Sequence, residues 1–433
     1  MTYTQAIKYL ESRRLIGIKP GLERVKALLS LFSNPQQGLP CIHVAGSNGK
    51  GSTSAFITGI LRAQGYRVGQ FSSPYFTSPC EMFRIETQPI SQQDFASLVE
   101  EAAVHCALLD RTLEQGPTEY EIYTCLALTY FKRSRCHIGV IEACMGGRFD
   151  CTNILEEVKA CVITKLSMEH QSYLGGTLDK IAWHKAGIMK EGVPVITCPQ
   201  KPEAMEVLRA EAHSKQAPLI IACHEDIKLQ SVTQEGIVFD IDSRVGLRLS
   251  SPALYQTENA VLALSAINAL EEQGLFITEE AVKQGLEGVK WPGRFEILHR
   301  KPDFILDCCH NPDGVEAFIH AYKALYGEKR AVVLIGVMAD KDYPQMLESL
   351  SSIASVIIAI ESNSPRALSA DILKEAASKT CEFAIKSDTI GEAVTKSLSL
   401  AGQKGVVCAL GSHFHADTIK RALLLQDFGG LLC

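Results

Sequence analysis

The sequence predicts an α/β protein of two domains, and three observations support this. First, the apolar run Ile42–Ala45 leads into a glycine-rich turn, after which apolar residues recur at helical spacing from Phe56 to Leu61. Second, beyond residue 294 short apolar runs alternate with helical stretches, which is typical of a mostly parallel sheet. Third, 433 residues are too many for one ordinary core. We therefore predict a larger domain over residues 1–293 and a smaller one over residues 294–433.

The elements of the first domain follow from local patterns. Residues 1–40 have helical spacing that proline and glycine interrupt at Lys19–Gly21. Residues 91–133 have the same spacing, and Thr118 followed by acidic residues predicts the start of a second helix there. Runs rich in Val, Ile and other apolar residues predict buried parallel strands. These strands are 42–45, 67–71, 137–142 and 160–166, and an alternating stretch over 237–249 predicts a hairpin.

The second domain is predicted to begin after a linker. Trp291–Phe295 contains a Pro-Gly pair that interrupts the preceding pattern. Beyond it the predicted strands are 303–308, 330–337, 354–360, 381–385 and 405–410. Their alternation with helices predicts a Rossmann-like α/β domain.

Composition narrows the class of protein. Apolar residues make up 46% of the chain and charged residues 21%, which is typical of a soluble globular protein. The net charge of −6 gives no basic footprint, so nucleic acid is not an expected partner. The N-terminal stretch lacks the apolar segment of a signal peptide, and no apolar run approaches the length of a membrane span. The 15 cysteines contain no CxxC pair, so we expect reduced thiols and a cytoplasmic protein.

The turn after the first strand carries the strongest chemical signal. Gly46, Gly49 and Gly51 allow close approach to the backbone, and Lys50 adds a compact positive charge. A helix that starts at such a turn points its free N–H groups and the positive end of its dipole at one spot, which favours phosphate. The hydroxyl of the following Ser52 is suited to Mg²⁺. The alternative is a tight turn without a ligand, which the neighbouring lysine and hydroxyls disfavour.

Polar residues also follow the other predicted strands of the first domain. Glu142 ends one strand, Ser73 lies in the turn after another, and His170 follows a third. The carboxyl ends of parallel strands form the edge where open sheets bind ligands. Each residue alone has a structural explanation, since serine is common in turns and a single histidine is more often structural. Together they predict a metal held against nucleotide phosphates.

The phosphate turn departs from the common pattern in a specific way. Two residues, not four, separate Gly46 from Gly49-Lys50, and Gly51 precedes Ser52. This variant resembles the nucleotide loop of the Mur ligase superfamily, in particular its folate branch of folylpolyglutamate and dihydrofolate synthases. Further motifs of that branch occur in the same order along nearly the whole chain: Glu142 before Gly146–Arg148, Glu169-His170, Lys185–Ile188, Asp307–Pro312 and Asp340–Asp342.

The resemblance implies an ATP-dependent P-loop-type first domain. It implies two Mg²⁺ ions and leaves room for a monovalent cation. The implied nucleotide contacts are Ser47, Asn48, Gly49, Lys50, Gly51, Ser52, Asn259, Arg294 and Asp307. The implied metal ligands are Ser52, Ser73, Glu142 and His170, and the implied catalytic residues are Lys50, Lys185 and His310. A lysine on a helix is by default a surface charge, but the resemblance implies that Lys185 is carbamylated.

The resemblance also implies three substrate segments: the loop Gly17, Ile18, Lys19 and Pro20, the tetrapeptide Thr118, Glu119, Tyr120 and Glu121, and the triplet Phe149, Asp150 and Cys151. Asp150 is the expected acceptor for pterin N–H groups. Four positions depart from the family pattern. Lys19 replaces an acid, Cys151 an alanine, Glu169 an aspartate and His184 a glutamate.

The function implied by the resemblance is ATP-dependent ligation of L-glutamate to dihydropteroate and to the glutamyl tail of reduced folates through an acyl phosphate. The expected partners are these small molecules, and we expect a monomer without nucleic acid or membrane partners. One alternative is folate extension alone. A second is a Mur-type ligase with another carboxylate acceptor, although cell-wall ligases generally have an additional N-terminal domain. A third is a non-catalytic nucleotide-binding protein, which the intact Lys50, Glu142, His170 and Lys185 disfavour.

Overall fold

The computed structural model describes residues 1–17, 19–223 and 226–429. These residues form two compact units. The first unit contains Met1–Asp226 and Glu258–Val289, and the second contains Ile227–Thr257 and the chain from Lys290 onward. The predicted boundary at residue 293 lies close to this division, but the prediction placed 227–257 in the first domain. That segment packs with the second unit, where Gln234 donates a hydrogen bond of 2.7 Å to Asp303.

The first unit is built on a sheet whose order in the described residues is β4-β3-β2-β5-β1-β6-β7-β8. The strands are β1 Cys41–Ala45, β2 Val68–Phe71, β3 Phe83–Ile85, β4 Gln88–Pro89, β5 Ile138–Glu142, β6 Val158–Ile163, β7 Val195–Thr197 and β8 Leu219–Ile221. All neighbouring pairs from β2 to β8 are parallel, whereas β3 and β4 are antiparallel additions at one edge. The predicted first-domain strands are confirmed.

The helices of this unit are α1 Tyr3–Arg14, α2 Glu23–Leu31, α3 Lys50–Ala63, α4 Gln92–Thr112, α5 Glu119–Arg133, α6 Gln171–Leu174, α7 Leu178–Ala186, α8 Pro202–Ser214 and α10 Glu279–Glu287. Helix α9, Tyr255–Glu271, begins in the second unit and continues into the first. The central strand β1 is buried along its whole length, which explains why its sequence is almost entirely apolar. Cys41 and Ala45 pack into the core beneath α1, α2, α4 and α5, and alternation places Ile42 and Val44 on the opposite face.

The strand register brings the predicted polar residues to one level. Val44 of β1 pairs with Glu142 of β5, and Phe71 of β2 pairs with Ile141. On the other side of β1, Ala45 pairs with Ile163 at the end of β6. The segments that follow β1, β2, β5 and β6 therefore leave the sheet at the same edge.

The second unit contains two sheets. A three-stranded antiparallel sheet consists of β9 Lys228–Thr233, β10 Gly236–Ile241 and β11 Arg244–Leu249, which confirms the predicted hairpin. The larger sheet has the order β12-β13-β17-β14-β15-β16 in the described residues, and all but β12 are parallel. Its strands are β12 Glu296–His299, β13 Asp303–Asp307, β14 Ala331–Ile335, β15 Ala354–Ala359, β16 Ala384–Lys386 and β17 Val406–Leu410. The strand predicted over 381–385 begins three residues later than expected.

The helices of the second unit are α11 Pro312–Tyr326, α12 Tyr343–Leu350, α13 Ala370–Ala377, α14 Ile390–Ala401 and α15 Ala416–Gly429. Phe295, Phe318 and Tyr322 lie in its core together with the apolar faces of the strands. Asp307 at the end of β13 pairs with Leu410 of β17, which also pairs with Ile335 of β14. The carboxyl ends of these three strands therefore lie side by side at one edge of the second sheet. The α/β architecture with two mostly parallel sheets confirms the predicted fold class.

None of the helices in the described part of the chain is long and apolar enough to cross a membrane.

Candidate active site

The turn after β1 has a conformation that requires glycine. Gly46 has a φ of 147° and Gly49 a φ of 92°, both in a region that other residues rarely adopt. A Cβ atom on Gly46 would lie 1.8 Å from Thr164 Oγ1, and one on Gly49 would lie 2.1 Å from Asn259 Oδ1. The structure thus places Asn259, a predicted nucleotide contact from α9, directly against the glycine turn.

Lys50 begins α3 and folds back over this turn. Its Nζ donates to the carbonyl oxygens of Gly46, at 2.9 Å, and Ser47, at 3.3 Å. Gly51 and Ser52 complete the first turn of the helix, whose first N–H groups have no partner within the helix. The Ser52 hydroxyl is buried and forms no hydrogen bond with any described residue. The turn therefore brings together a positive amine, the N-terminal N–H groups of α3 and a buried hydroxyl without a partner among the described residues, which suits a nucleotide phosphate with a cation.

Ser47 and Asn48 connect the turn to the segment that follows β6. Their backbone N–H groups both donate to the Lys165 carbonyl, at 2.9 and 3.1 Å. Ser47 Oγ donates to the Ser167 carbonyl and accepts from the Ser167 N–H, both at 3.0 Å. The turn is therefore anchored to the segment after β6. This structural role was not predicted, because residues 165–167 lie far away in the sequence, and the predicted nucleotide contacts of Ser47 and Asn48 stay a prediction.

Lys185 is buried beneath the same turn and is not a surface charge. Its side chain is 2% exposed, and Nζ donates to Glu169 Oε1 and to the Gly46 carbonyl, both at 2.7 Å. Burial lowers the pKa of Lys185 more strongly than the Glu169 carboxylate raises it. Burial alone would raise the pKa of Glu169, but Lys185, Lys50 and His170 together hold it well below its usual value. Glu169 is therefore ionised next to an amine that loses its proton more readily than usual.

The predicted metal ligands lie at or after the carboxyl ends of parallel strands in the first sheet. Glu142 is 3% exposed at the end of β5, Ser73 is half-buried after β2, and His170 precedes α6. Within the described residues, no three His, Cys, Asp or Glu side chains form a group that could hold a metal ion. A Mg²⁺ ion at this edge would therefore also need serine hydroxyls, water or phosphate oxygens, which are the ligands it commonly keeps.

Cys144 shows which side chains converge after β5. The residue is exposed to solvent. Nearby protein atoms nevertheless desolvate its thiol and raise the pKa of the thiol to about 12. Asp150 and Glu142 add to this increase in pKa, while Ser73 and Lys50 oppose it. Residues that follow β2 and β5 and a residue of the phosphate turn therefore lie around one thiol. Cys144 was not predicted as a site residue, since nothing in the local sequence distinguishes it.

Two of the predicted substrate segments are tied together by Arg24. Its guanidinium contacts Glu121 Oε1 at 2.9 Å and donates to the Lys19 carbonyl at 2.6 Å. Glu121 also accepts a 2.7 Å hydrogen bond from the Thr118 N–H, which confirms the predicted helix cap. Ile18 of the predicted loop lies outside the described residues, and the other three loop residues are exposed.

Glu119 of the same tetrapeptide pairs with Arg14 of α1 through two hydrogen bonds of 2.7 and 2.8 Å. Tyr120 points the other way. Its ring lies 5.8 Å from Phe71, and burial, Cys144, Asp150 and Cys151 raise the pKa of its hydroxyl well above the usual value. The tetrapeptide therefore extends from the N-terminal helices to the group around Cys144.

The predicted triplet differs in exposure from one residue to the next. Phe149 is 46% exposed, and its ring lies 6.0 Å from Trp183 and 5.8 Å from His184. Cys151 is buried, with its Sγ 3.1 Å from Thr124 Oγ1. Asp150 is buried between them and begins a short 3₁₀ turn over Cys151–Ile154. Burial raises the pKa of Asp150, and hydrogen bonds from Met145 and Thr152 oppose this increase.

Asp307 organises the start of the second unit. Its carboxylate accepts hydrogen bonds from the Tyr255 hydroxyl at 2.5 Å, the Phe295 N–H at 2.9 Å and the Cys309 N–H at 2.8 Å. Burial raises the pKa of Asp307, although the neighbouring Arg294 and these hydrogen bonds lower it. The carboxylate thus has a structural role that was not predicted, and its contact with a nucleotide stays a prediction.

His310 lies among basic side chains at the edge of the second unit. Its Nδ1 lies 2.9 Å from the Cys308 carbonyl and therefore carries a proton. His413, which follows the neighbouring strand β17, lies near His310, Arg294 and Arg366. Burial, with smaller contributions from His310, Arg294, His415 and Arg366, lowers the pKa of His413 to about 3. Arg294 and Arg366 give this edge positive charge that attracts anions. His413 and Arg366 were missed because they follow strands that only the fold brings beside His310.

Comparison with known proteins now identifies the family. The model of the Mur ligase glutamate ligase domain matches residues 293–413. The dihydrofolate synthase/folylpolyglutamate synthase of Bacillus subtilis is 34% identical over 430 residues, which cover 97% of this chain and 99% of that protein. The chain belongs to the dihydrofolate synthase/folylpolyglutamate synthase family.

Solved structures of this family agree with the fold. The Mycobacterium tuberculosis folylpolyglutamate synthase complexed with ADP has a TM-score of 0.88 at 28% identity, and the match covers 98% of both chains. The FPGS–AMPPCP–folate complex has a TM-score of 0.84 at 28% identity, covering 98% of this chain and 100% of that one. The family predicted from the phosphate turn and the later motifs is thereby confirmed.

Proposed function

We propose that this protein is an ATP-dependent ligase that joins L-glutamate to dihydropteroate and to the glutamyl tail of reduced folates. The observation that carries the proposal is the Lys50 amine held over the glycine turn, beside the buried Glu142 and the Glu169–Lys185 pair. Family membership over nearly the full length supports the same reaction. The related complex with both AMPPCP and folate supports ATP and folate as ligands of this fold.

The proposed reaction has two steps with balanced atoms. An oxygen of the acceptor carboxylate attacks the γ-phosphorus of ATP, and ADP leaves as an acyl phosphate forms. The neutral amine of glutamate then attacks the acyl carbon, the bond from that carbon to the phosphate oxygen breaks, and inorganic phosphate leaves with the proton that the nitrogen loses. Lys50 and the first N–H groups of α3 neutralise the charge on the transferred phosphoryl group. The positive charges of Arg294 and Arg366 near His413 support binding of the incoming anionic amino acid.

The residues at the carboxyl ends of the strands in the first unit are suited to bind Mg²⁺. The buried Ser52 hydroxyl has no hydrogen-bond partner among the described residues, and Glu142 supplies a buried carboxylate at the same edge. We propose that Ser52 holds an ion bound to the nucleotide, and that Ser73, Glu142 and His170 hold a second. When bound, such an ion supplies positive charge to the phosphate oxygens.

Lys185 fits the proposed carbamylation in one respect and resists it in another. Its lowered pKa increases the fraction of neutral amine, which is the form that adds CO₂. The same amine donates to Glu169 and to the Gly46 carbonyl, and a carbamate nitrogen keeps a single N–H, so carbamylation must break at least one of these contacts. We propose that the carbamate forms when a cation separates it from Glu169. Intact-protein mass spectrometry under CO₂ and under CO₂-free buffer tests this step.

The proposed use of two acceptors is supported by the convergence of the substrate segments. Tyr120 of the tetrapeptide and Asp150 of the triplet both lie beside Cys144. To test it, ATP, Mg²⁺ and glutamate are supplied with dihydropteroate or with tetrahydrofolate, and phosphate release and product mass are followed. Products from both acceptors are expected. Product from tetrahydrofolate alone would reduce the activity to folate extension, and product from neither would refute the proposal.

A further inference from the structure

A chain of three buried polar side chains runs from the middle of β1 to Asp150. His43 Nε2 lies 2.8 Å from Thr152 Oγ1, and Thr152 Oγ1 lies 2.6 Å from Asp150 Oδ1. His43 and Thr152 are 0% exposed, and Asp150 is 7% exposed. Placing an imidazole inside a central strand is costly unless it is hydrogen-bonded, so its presence there needs an explanation.

The donors and acceptors determine where the protons lie. An ionised Asp150 only accepts, so the single hydroxyl proton of Thr152 points to Oδ1. The Thr152 oxygen must then accept from His43, which therefore carries its proton on Nε2. Nδ1 is left without a proton, and no described residue forms a hydrogen bond with it. Because burial lowers the pKa of His43 to about 3, the imidazole is neutral at physiological pH.

Backbone N–H groups and the Thr152 hydroxyl hold the Asp150 carboxylate in place. Oδ1 accepts from Thr152 Oγ1 at 2.6 Å and from the Thr152 N–H at 3.0 Å, and Oδ2 accepts from the Met145 N–H at 2.9 Å. The Cys144 N–H also donates to this carboxylate, and the two bonds from Thr152 occupy Oδ1, so a ligand N–H has to approach Oδ2. The group can therefore receive a ligand N–H in only one direction.

We propose that His43 and Thr152 are positioning residues that orient Asp150 toward an N–H group on the fused heterocycle of the acceptor. This inference rests on the proposed function, which supplies a pterin acceptor. His43 has no contact with the ligand in this arrangement and acts only through the hydroxyl of Thr152. The protein would therefore favour acceptors that carry this heterocycle, and this preference would not depend on ATP binding.

The kinetic test uses Thr152→Val, which removes the hydroxyl but keeps the shape. Loss of one hydrogen bond to an ionised group predicts a KM for the pterin acceptor raised about five-fold, with kcat and the KM for ATP within about two-fold. His43→Leu should raise the same KM less, while Thr152→Ser and His43→Gln keep a donor in place and should behave like the wild type. Thr129→Val is the matched control, since Thr129 is also buried and its hydroxyl bonds to Cys125 within its own helix.

A purely structural role predicts a different pattern. In that case Thr152→Val and Thr129→Val would lose similar thermal stability, and the acceptor and ATP KM values of each variant would change together. Equal acceptor KM values for active wild type and Thr152→Val would overturn this inference alone. A wild type that converts neither acceptor would overturn the proposed function and this inference together.

A second measurement does not depend on activity. Long-range ¹H–¹⁵N spectra of protein with labelled histidine, assigned with His43→Gln, report which nitrogen of His43 is protonated. The inference requires a neutral ring with the proton on Nε2 at pH 7. A proton on Nδ1 would break the connection to Thr152 and refute the inference, even if the variants lose activity.

Discussion

Replacing Lys185 with methionine tests the central contact of the site. The substitution keeps the length of the side chain but leaves the Glu169 carboxylate buried without its cation and the Gly46 carbonyl without a donor. Breaking a buried pair in this way costs about 3 kcal/mol or more. For a unit of this size, we expect the melting temperature to fall by about 6 °C, at about 2 °C for each kcal/mol. Since Gly46 belongs to the phosphate turn, ATP turnover should fall by more than about ten-fold, or about 1.4 kcal/mol.

The assay is scanning fluorimetry together with ADP release. Lys180→Met is the matched control, because Lys180 lies on the same helix and is exposed. The double variant Lys185→Met/Glu169→Leu removes both charges and should recover most of the lost melting temperature. A Lys185→Met variant that melts like the wild type would refute the assigned ion pair.

Chemical rescue separates the two forms of Lys185. If the amine itself maintains the turn, a small primary amine should restore part of the activity of Lys185→Ala. If the carbamate is the working form, a small carboxylic acid should restore it instead. Full activity of Lys185→Ala without any additive would contradict both roles.

Four further outcomes are expected. Ser52→Ala should leave the melting temperature unchanged, because the hydroxyl has no partner among the described residues, but it should weaken Mg²⁺-dependent binding of an ATP analogue in calorimetry. Gly49→Ala should weaken that binding by at least about ten-fold through backbone strain and the clash with Asn259, whereas Gly176→Ala, with open space around it, should not. Arg24→Gln should raise the KM for folate acceptors by about three- to ten-fold and speed proteolysis near Lys19, with the KM for ATP unchanged. Lys185 and its neighbours lower the pKa of Glu169 in the folded state. The ionised Glu169 therefore stabilises the fold fully above the unfolded pKa of about 4.5, and this stabilisation is lost as the pH falls through the folded pKa. Glu169→Gln should accordingly flatten the acid side of a plot of melting temperature against pH.

Several of these outcomes have clear contrary results. Lower thermal stability of Ser52→Ala would mean that the hydroxyl has a structural partner. Equal analogue binding by Gly49→Ala and wild type would show that the turn tolerates a Cβ and does not contact the nucleotide. Parallel increases in both KM values of Arg24→Gln would indicate general unfolding, and an unchanged acid limb in Glu169→Gln would place the acid-sensitive group elsewhere.

The sequence alone determined the features that depend on local chemistry. The spacing of Gly46, Gly49 and Lys50 predicted a phosphate turn, because backbone conformation and helix start depend on neighbouring residues. Apolar runs predicted the parallel strands, since a strand buried on both faces must be apolar along its length. The order of motifs predicted the family, and the rule that strand ends meet at one edge predicted that Ser73 and Glu142 lie near that turn.

Only the tertiary structure decided which side chains are partners. Lys185 is separated from Gly46 by 139 positions, and His43 from Thr152 by 109, yet each pair is within hydrogen-bond distance. Local spacing contains no information about such contacts, because they depend on strand order, register and the path of the connecting loops. For the same reason the sequence suggested that Lys185 is exposed by default, and it placed residues 227–257 in the wrong unit. The sequence around a charged residue is similar whether its side chain is exposed or buried. Only a partner that is distant in the sequence compensates the cost of burying the charge.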